Sequence, residues 1–414
     1  MTTLILLTLV GVFCGAPGVC AAISQIELLT LDQALEMAER RHPQLAETRA
    51  LVDAASGRAQ QAGTFPNPEA ILWAQQIPFQ SYPVPDRQYL AGFGQTIPLG
   101  NRLSKAREAE LLEREVRLRG LDSVRRQLRK RVHGSFATAL YQESAFQAQT
   151  YITSGLGMLV TVTKARLDAG DVIPLDIARS EMELARAEVE LRRSESLRKQ
   201  GLIALAAAVG DPDLEVKSVE GSLEVAFEVP TINSLAANLF TQPELQAAEA
   251  GVRASTARVD LAKAERIPDV RVEALYHRLE VSGQNTFDLG LSIPLPLFNR
   301  SQGRLREARS EALAAEARVH QLANELSSRL RESYVALTTA LDNLQAFKTQ
   351  ILPKAKTVLE SAELRYASGD SALTDVLPIR RDWAGVHLSY LETLREVMQS
   401  WAEVSSFLGQ TEKR

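Results

Sequence analysis

Cysteine is almost absent from this 414-residue chain: Cys14 and Cys20 are the whole complement, both at the extreme N-terminus. No disulfide framework and no cysteine-based zinc site can exist beyond them. Aromatic residues are scarce as well, at 6%, and Gly with Pro makes up roughly a tenth of the chain, below the usual share of about 12%. Net charge is small: 47 Lys+Arg stand against 51 Asp+Glu, leaving −4 at pH 7. That balance argues against a basic nucleic-acid binder, and a hydrophobic content of 45% argues against a disordered polyampholyte. What fills the chain instead is long stretches of Ala, Leu, Glu, Arg and Gln. This is the composition of extended helices, not of a sheet-rich enzyme core.

Long apolar runs are also missing, except at the start. No charged residue precedes Glu27, and the apolar run Leu4 to Val12 leads into the small residues Ala16, Gly18, Ala21 and Ala22. A run this short, followed by a small-residue site, reads as an export signal over residues 1–22, cleaved after Ala21 or Ala22. The n-region lacks Lys and Arg, which leaves the true translation start open. Cys20 leaves lipoprotein processing open, although Val19 is bulkier than the Gly or Ala that a lipobox wants. Downstream, no apolar stretch reaches the ~18–20 residues of a membrane helix. A β-barrel span is not excluded, because its strands need only about 10 residues of alternating polarity.

The chain is written twice, at an offset of about 200. His42-Pro43-Gln44-Leu45 matches Gln242-Pro243-Glu244-Leu245, Gly94-Gln95-Thr96-Ile97-Pro98 matches Gly290-Leu291-Ser292-Ile293-Pro294, and Asn101-Arg102 matches Asn299-Arg300. Ala169-Gly170-Asp171 matches Ser368-Gly369-Asp370, Asp176 matches Asp375, and Gly210 matches Gly409. The expected repeats are 23–220 and 221–414. Each reads in the same order. A helix over Leu31–Ala62 or Ile232–Arg266 leads into a hairpin, with strands at about 68–78 and 88–98, or about 269–280 and 286–295. In the second hairpin Val270, Val272, Ala274 and Tyr276 alternate with Arg271, Glu273 and His277. In the first, Ile71, Trp73 and Ile77, then Tyr89, Ala91, Phe93 and Ile97, suggest the apolar face more weakly. Trp73, Tyr89 and Tyr276 suit an interfacial aromatic girdle.

A very long helix follows each hairpin, Arg102–Asp168 and Gln302–Ala367, about 100 Å at 1.5 Å per residue. Leu305, Ala308, Ala312, Ala315, Val319, Leu322 and Leu326 form a narrow coiled-coil-like seam. Turns at Gly170 and Gly369 reverse the chain, and final helices end at Gly210 and Gly409. Two hairpins supply four strands, which cannot close a barrel, and open edges in a bilayer leave backbone groups unsatisfied. Pooling strands gives eight in a dimer, with a filled lumen, or twelve in a trimer, with room for a channel.

Motifs of catalysis are missing: there is no G-x-S-x-G, H-E-x-x-H or P-loop. The histidines His42, His133, His277, His320 and His387 are scattered without ligand spacing, so neither an enzyme nor a resident metal or other cofactor is expected. The run Arg125–Arg131 and the alternating charges of Glu181–Arg193 read as solvated helix faces.

The duplicated helix–hairpin–long-helix plan resembles the TolC-type outer membrane factors of Gram-negative export systems, over nearly the whole mature chain. Pro66-Asn67-Pro68-Glu69 and the stretch Ser292 to Gly303, with Pro294, Pro296, Phe298 and Asn299, look most like the CzcC-like heavy-metal branch. The resemblance implies a mainly α protein with a small β part. As a homotrimer it would form a 12-stranded outer membrane β-barrel and a long periplasmic α-helical barrel. It also implies outer membrane lipid, a periplasmic adaptor (membrane fusion) protein and an inner-membrane, proton-driven resistance-nodulation-division pump as partners. In that family the helix–turn–helix tips close the tunnel and dock the adaptor. Carried over, Asp375 and its repeat partner Asp176 fall at the periplasmic aperture, and Gly170, Asp171, Gly369 and Asp370 at the docking tips. A second family acid is replaced by Pro378, and the latching basic residue is absent after Gly369. Locally, Asp171 and Asp370 suit the N-termini of the helices that follow. The expected function is passive conduction of exported heavy-metal cations. The competing readings are a channel of the same kind for drugs or organic solutes, and a periplasmic coiled-coil scaffold.

Overall fold

The computed structural model describes residues 25–77, 87–224 and 228–408. The signal segment, Pro78 and Gly409 lie outside these residues. The chain begins with strand β1 (Gln25–Thr30), then helices α1 (Leu31–Arg41) and α2 (Pro43–Ala62). The hairpin β2 (Glu69–Gln75) and β3 (Gln88–Ile97) leads to α3 (Arg102–Asp168) and α4 (Pro174–Val209). Strand β4 (Glu215–Glu220) precedes the second set: α5 (Ile232–Ala237), α6 (Pro243–Ala264), the hairpin β5 (Val270–Leu279) and β6 (Asn285–Ser292), then α7 (Gln302–Ala346), α8 (Leu352–Ala367) and α9 (Leu373–Ser405).

The leading helix of each half is broken, not continuous as expected. His42 and Gln242 sit in extended backbone (φ −62, ψ 125 and φ −65, ψ 129). A following proline disfavours helical geometry in the residue before it, and Pro43 and Pro243 then open new helices, where a missing N–H costs nothing. The His42 Nδ1 accepts the Gln44 N–H at 3.1 Å and caps the new helix. The second long helix is also interrupted, by a π-helical turn over Phe347–Ile351 just ahead of Pro353. Proline cannot donate to the carbonyl four residues back, and the widened turn absorbs that loss. The seam from Leu305 to Leu326 is buried or half-buried throughout.

Strands β1 and β4 form a parallel pair, Gln25 opposite Glu215 through Thr30 opposite Glu220, which the sequence reading left out. It ties the start of the chain to the segment between the two halves and caps the largest core. There Leu29, Leu35, Val132, Phe136, Leu205, Val216 and Leu394 bring together α1, α3, α4, α9 and both strands. A second core, with Leu235, Leu245, Leu330, Leu337 and Phe407, joins α5, α6, α7 and the end of α9.

The other four strands make one antiparallel sheet in the order β2-β3-β5-β6, so the two hairpins join through β3 and β5. The register assigns the faces. Leu72, Ala91, Tyr276 and Phe287 stand in one row, and Ala70, Phe93, Ala274 and Leu289 in another, so the hydrophobic face runs across all four strands. Phe93, Phe287, Leu289 and Leu291 on it are 65–76% exposed. Trp73 lines up instead with Leu90, His277 and Thr286, and Ile71 with Gly92, Leu275 and Asp288, both on the opposite face. The apolar face of β2 is therefore the one opposite to that expected, and Trp73 lies on the face away from Tyr89 and Tyr276. The mistake has a physical source: Ala70, Leu72 and Ala74 alternate with Ile71 and Trp73, so this strand has apolar residues on both faces. Strand β6 ends at Ser292, short of the expected 295, where Pro294 would break the ladder.

Candidate functional site

Each long-helix pair ends in a turn of the same construction. Gly170 and Gly369 take left-handed backbone (φ +83 and +88), which glycine adopts without strain. Gly170 N–H donates to Leu167 O at 2.9 Å and Asp171 N–H to Arg166 O at 2.9 Å. In the second half Gly369 N–H donates to Tyr366 O at 3.2 Å and Asp370 N–H to Arg365 O at 2.8 Å. These crossed bonds are the Schellman motif, which satisfies carbonyls otherwise orphaned at a helix end.

The aperture candidates Asp176 and Asp375 occupy the first turns of α4 and α9. They differ in setting. Asp176 is half-buried and lies 3.8 Å from Arg179 one turn on. The repeat partner of Arg179 is Pro378, so Asp375 has no such base; its carboxylate accepts the Ala372 N–H at 3.3 Å. Helix-start capping therefore falls to Asp375, not to Asp171 or Asp370 as expected. The reason is distance: α4 and α9 begin three residues beyond those acids. Asp370 instead accepts from Ser368 Oγ at 3.0 Å, closing its own turn.

The two turns are held side by side by residues that the sequence reading did not single out. Tyr366, 1% exposed, places its hydroxyl 2.8 Å from that of Thr163, which is fully buried. The Arg166 guanidinium lies over the Tyr366 ring, 4.7 Å from its centroid, and donates to the Tyr366 carbonyl at 2.9 Å. Beneath this contact Leu156, Leu159, Leu373, Val376 and Leu377 form a small core. Glu183 of α4, 6% exposed, binds Arg381 of α9 through both oxygens and Arg186 at 3.0 Å. Arg380 beside it pairs with Glu363 of α8 at 2.7 Å. A cavity of about 480 Å³ bordered by Glu183, Arg380, Trp383 and Tyr151 separates these helices. A signal for Tyr366 was present: the repeat places it opposite Leu167, so the second half carries a hydroxyl where the first has none.

The run Arg125–Arg131 also does more than face solvent. Arg125 pairs with Asp122 at 3.0 Å and Arg129 with Glu39 at 2.9 Å; Arg126 donates to Gln242 and to Ser406 O, and Lys130 pairs with Glu403. Apart from Arg125–Asp122, which lies within α3, these bonds tie α3 to α1, the start of α6 and the end of α9, with partners far away in sequence. Among the described residues no group of three or more His, Cys, Asp or Glu could hold a metal ion, and no helix is long and apolar enough to cross a membrane. The second face of the sheet is mixed: Ile71, Leu90 and Leu275 form a small buried apolar cluster on it, and polar groups stand around them. Arg271 pairs with Glu69 at 2.8 Å and with Glu273, and His277 lies 3.4 Å from Asp288 and 3.0 Å from Gln88.

A four-stranded sheet with one exposed apolar face, set on long paired helices that end in two matched turns, is the architecture shared by TolC-type outer membrane channels. Residues 236–410 match the model of the family described as outer membrane efflux protein. The chain has heavy-metal resistance proteins among its similar relatives. It is 26% identical to the cobalt-zinc-cadmium resistance protein CzcC of Cupriavidus metallidurans over 383 residues, 92% of this chain and 90% of the relative. It is also 26% identical to the nickel-cobalt-cadmium resistance protein NccC of Alcaligenes xylosoxydans over 317 residues, 75% and 70% of the two chains. Its fold matches the crystal structure of the outer membrane protein VceC of Vibrio cholerae, with a TM-score of 0.75 at 19% identity, over 92% and 96% of the chains. Proteins of this kind are placed in the Gram-negative outer membrane, with the helices extending into the periplasm.

Proposed function

We propose that this chain is the channel subunit of a tripartite exporter of heavy-metal cations, passing them passively from a proton-driven inner-membrane pump and a periplasmic adaptor to the exterior. The observation that carries the reading is the sheet, open at both edges. Its strands alternate in direction, so β6 of one copy can pair antiparallel with β2 of the next, and three copies close twelve strands into one barrel. Such closure leaves no backbone edge in the bilayer, where each unsatisfied group costs several kcal/mol. The apolar face then meets lipid, and Glu69, Glu273 and Asp288 line the lumen together with Arg271 and His277, the three acids outnumbering the one arginine and so favouring cations along the path.

Cations are favoured as substrate because the relatives matching 92% and 75% of the chain are named for cobalt, zinc, cadmium and nickel resistance, whereas one matching 65% is named for pyoverdine export. In this reading residues 1–22 are the signal peptide, and the repeats 23–220 and 221–414 alternate around the ring. Asp176 and Asp375 line the aperture, while Gly170, Asp171, Gly369 and Asp370 meet the adaptor. No tightly binding site is needed, since a conduit that binds strongly releases slowly. The test is growth of a deletion strain on cobalt, zinc and cadmium salts, with and without the gene supplied back. Restored metal tolerance is expected. Restored tolerance to organic toxicants with unchanged metal tolerance would assign the channel to organic solutes.

A further inference from the structure

The apolar band of the sheet does not stop where β6 ends. Leu295, Leu297 and Phe298 continue it at 74%, 63% and 92% exposed. Ser301, in left-handed backbone at φ +55, then turns the chain into α7. Immediately beyond this strip, Arg266, Arg300, Arg306 and Arg309 border one open cavity of about 890 Å³ together with Leu297 and Phe298. No carboxylate borders it; Glu307 and Glu311 of α7 are not among its lining residues. Arg304, on the same helix turn, is held by Glu265 at 3.2 Å, but the four arginines of the cavity form no ion pair among the described residues. The matching junction of the first half is different: Arg102 is bound by Asp269 at 2.8 Å and Lys105 by Glu108 at 2.8 Å.

We propose that this junction is a binding site for an anionic glycerophospholipid of the periplasmic leaflet, its phosphate among Arg300, Arg306 and Arg309 and its acyl chains along Leu295, Leu297 and Phe298. Guanidinium groups present paired donors matching phosphate oxygens, and unpaired arginines next to an anionic bilayer surface gain from its potential. The exposed strip is continuous with the lipid-facing side of β6, so a lipid seated there keeps its tails in the bilayer while its headgroup reaches the cavity. The proposal rests on the outer membrane placement of the sheet, not on what the channel carries.

The test is native mass spectrometry of the protein purified in mild detergent and supplied with dioleoylphosphatidylglycerol or dioleoylphosphatidylcholine. It is run on the wild type and on the triple variant Arg300→Gln, Arg306→Gln, Arg309→Gln. Wild type should retain phosphatidylglycerol on the order of tenfold better than phosphatidylcholine, a preference built from about fivefold per arginine and reduced by screening. The variant should lose that preference at unchanged oligomer mass. Equal retention of the two lipids by the wild type overturns the proposal. Displacement of the lipid by inorganic phosphate at matched concentration does so too, assigning the cavity to free phosphate. Disassembly of the variant into single chains would give the arginines to contacts between copies. Extraction of the wild type without detergent would instead defeat the underlying membrane placement.

Discussion

The contact between Tyr366 and Thr163 joins the two periplasmic turns, and its strength can be worked out from what each partner keeps when the other is removed. Thr163 Oγ1 also donates to Leu159 O at 2.9 Å, so Tyr366→Phe leaves it satisfied. That change costs only the net worth of one hydrogen bond, about 0.5–1.5 kcal/mol. Thr163→Val is worse, since it strands the Tyr366 hydroxyl in a site where the residue is 1% exposed. An unpaired buried hydroxyl costs about 1–3 kcal/mol. The double variant removes both polar groups and should be milder than the sum, with a coupling of roughly 1 kcal/mol. The assay is hydrogen exchange of the turn segments in the detergent-solubilised protein, which reads local opening and avoids an all-or-none melt. At a factor of ten per 1.4 kcal/mol, Thr163→Val should speed exchange around 163–175 and 366–376 by about five- to a hundredfold, and Tyr366→Phe by about two- to tenfold. Purely additive effects, or unchanged exchange in Thr163→Val, would refute the view that this hydroxyl pair holds the turns together.

Asp375→Asn should lower cation conductance in single-channel recordings and shift its salt dependence, with Asp176→Asn acting the same way but less, because Arg179 already offsets it. Unchanged cation/anion selectivity in the double variant would reduce both acids to local helix-end roles. A side chain at Gly92 would place its Cβ 2.0 Å from Ala274 O on the neighbouring strand, so Gly92→Val should break the joint between the hairpins and abolish heat-modifiable oligomer on SDS gels. Burial holds His133 below its ordinary value of 6.5, with Arg129 adding to it; burial acts likewise on His42, helped by Arg131, and on His387. The folded chain then binds fewer protons than the unfolded one, so this stability is complete above 6.5 and falls as pH drops below it. Melting of the helical signal should occur at lower temperature at pH 5.5 than at pH 7.5, an effect reduced in His133→Gln; a pH-independent melt in the wild type would count against it.

Much of the fold was legible because its signals are local. Gly170 and Gly369 ended helices as glycines with left-handed backbone do, and the alternation in β5 set its register face correctly. The errors came where one local rule met another. Pro43 and Pro243 cut helices that periodicity alone would have carried through, and β2 offered two apolar faces of which only the pairing with β3 selects one. The strand pair β1 and β4 joins segments nearly two hundred residues apart, and nothing in either short segment announces its partner. The turn acids were legible as residues, since they recur in both halves. Their settings were not, because whether an acid meets Arg179 or faces Pro378 depends on a neighbour one turn away. The contacts that bind the tips, Tyr366 with Thr163 and Glu183 with Arg381, are long-range pairs that no spacing reveals.

The difference between Arg179 and Pro378 has a consequence for any docking partner. In a ring of three copies the rim would carry six turns that look alike in backbone but are of two chemical kinds, one acid neutralised by a neighbouring base and one free of it. The true symmetry of that rim is threefold, however sixfold its outline. A partner that placed one identical copy on every turn could not make the same bonds at each; alternate copies would sit in two attitudes, one strong and one weak. Docking could then begin at three positions and fill the other three afterwards, so that recruitment proceeds in stages rather than at once.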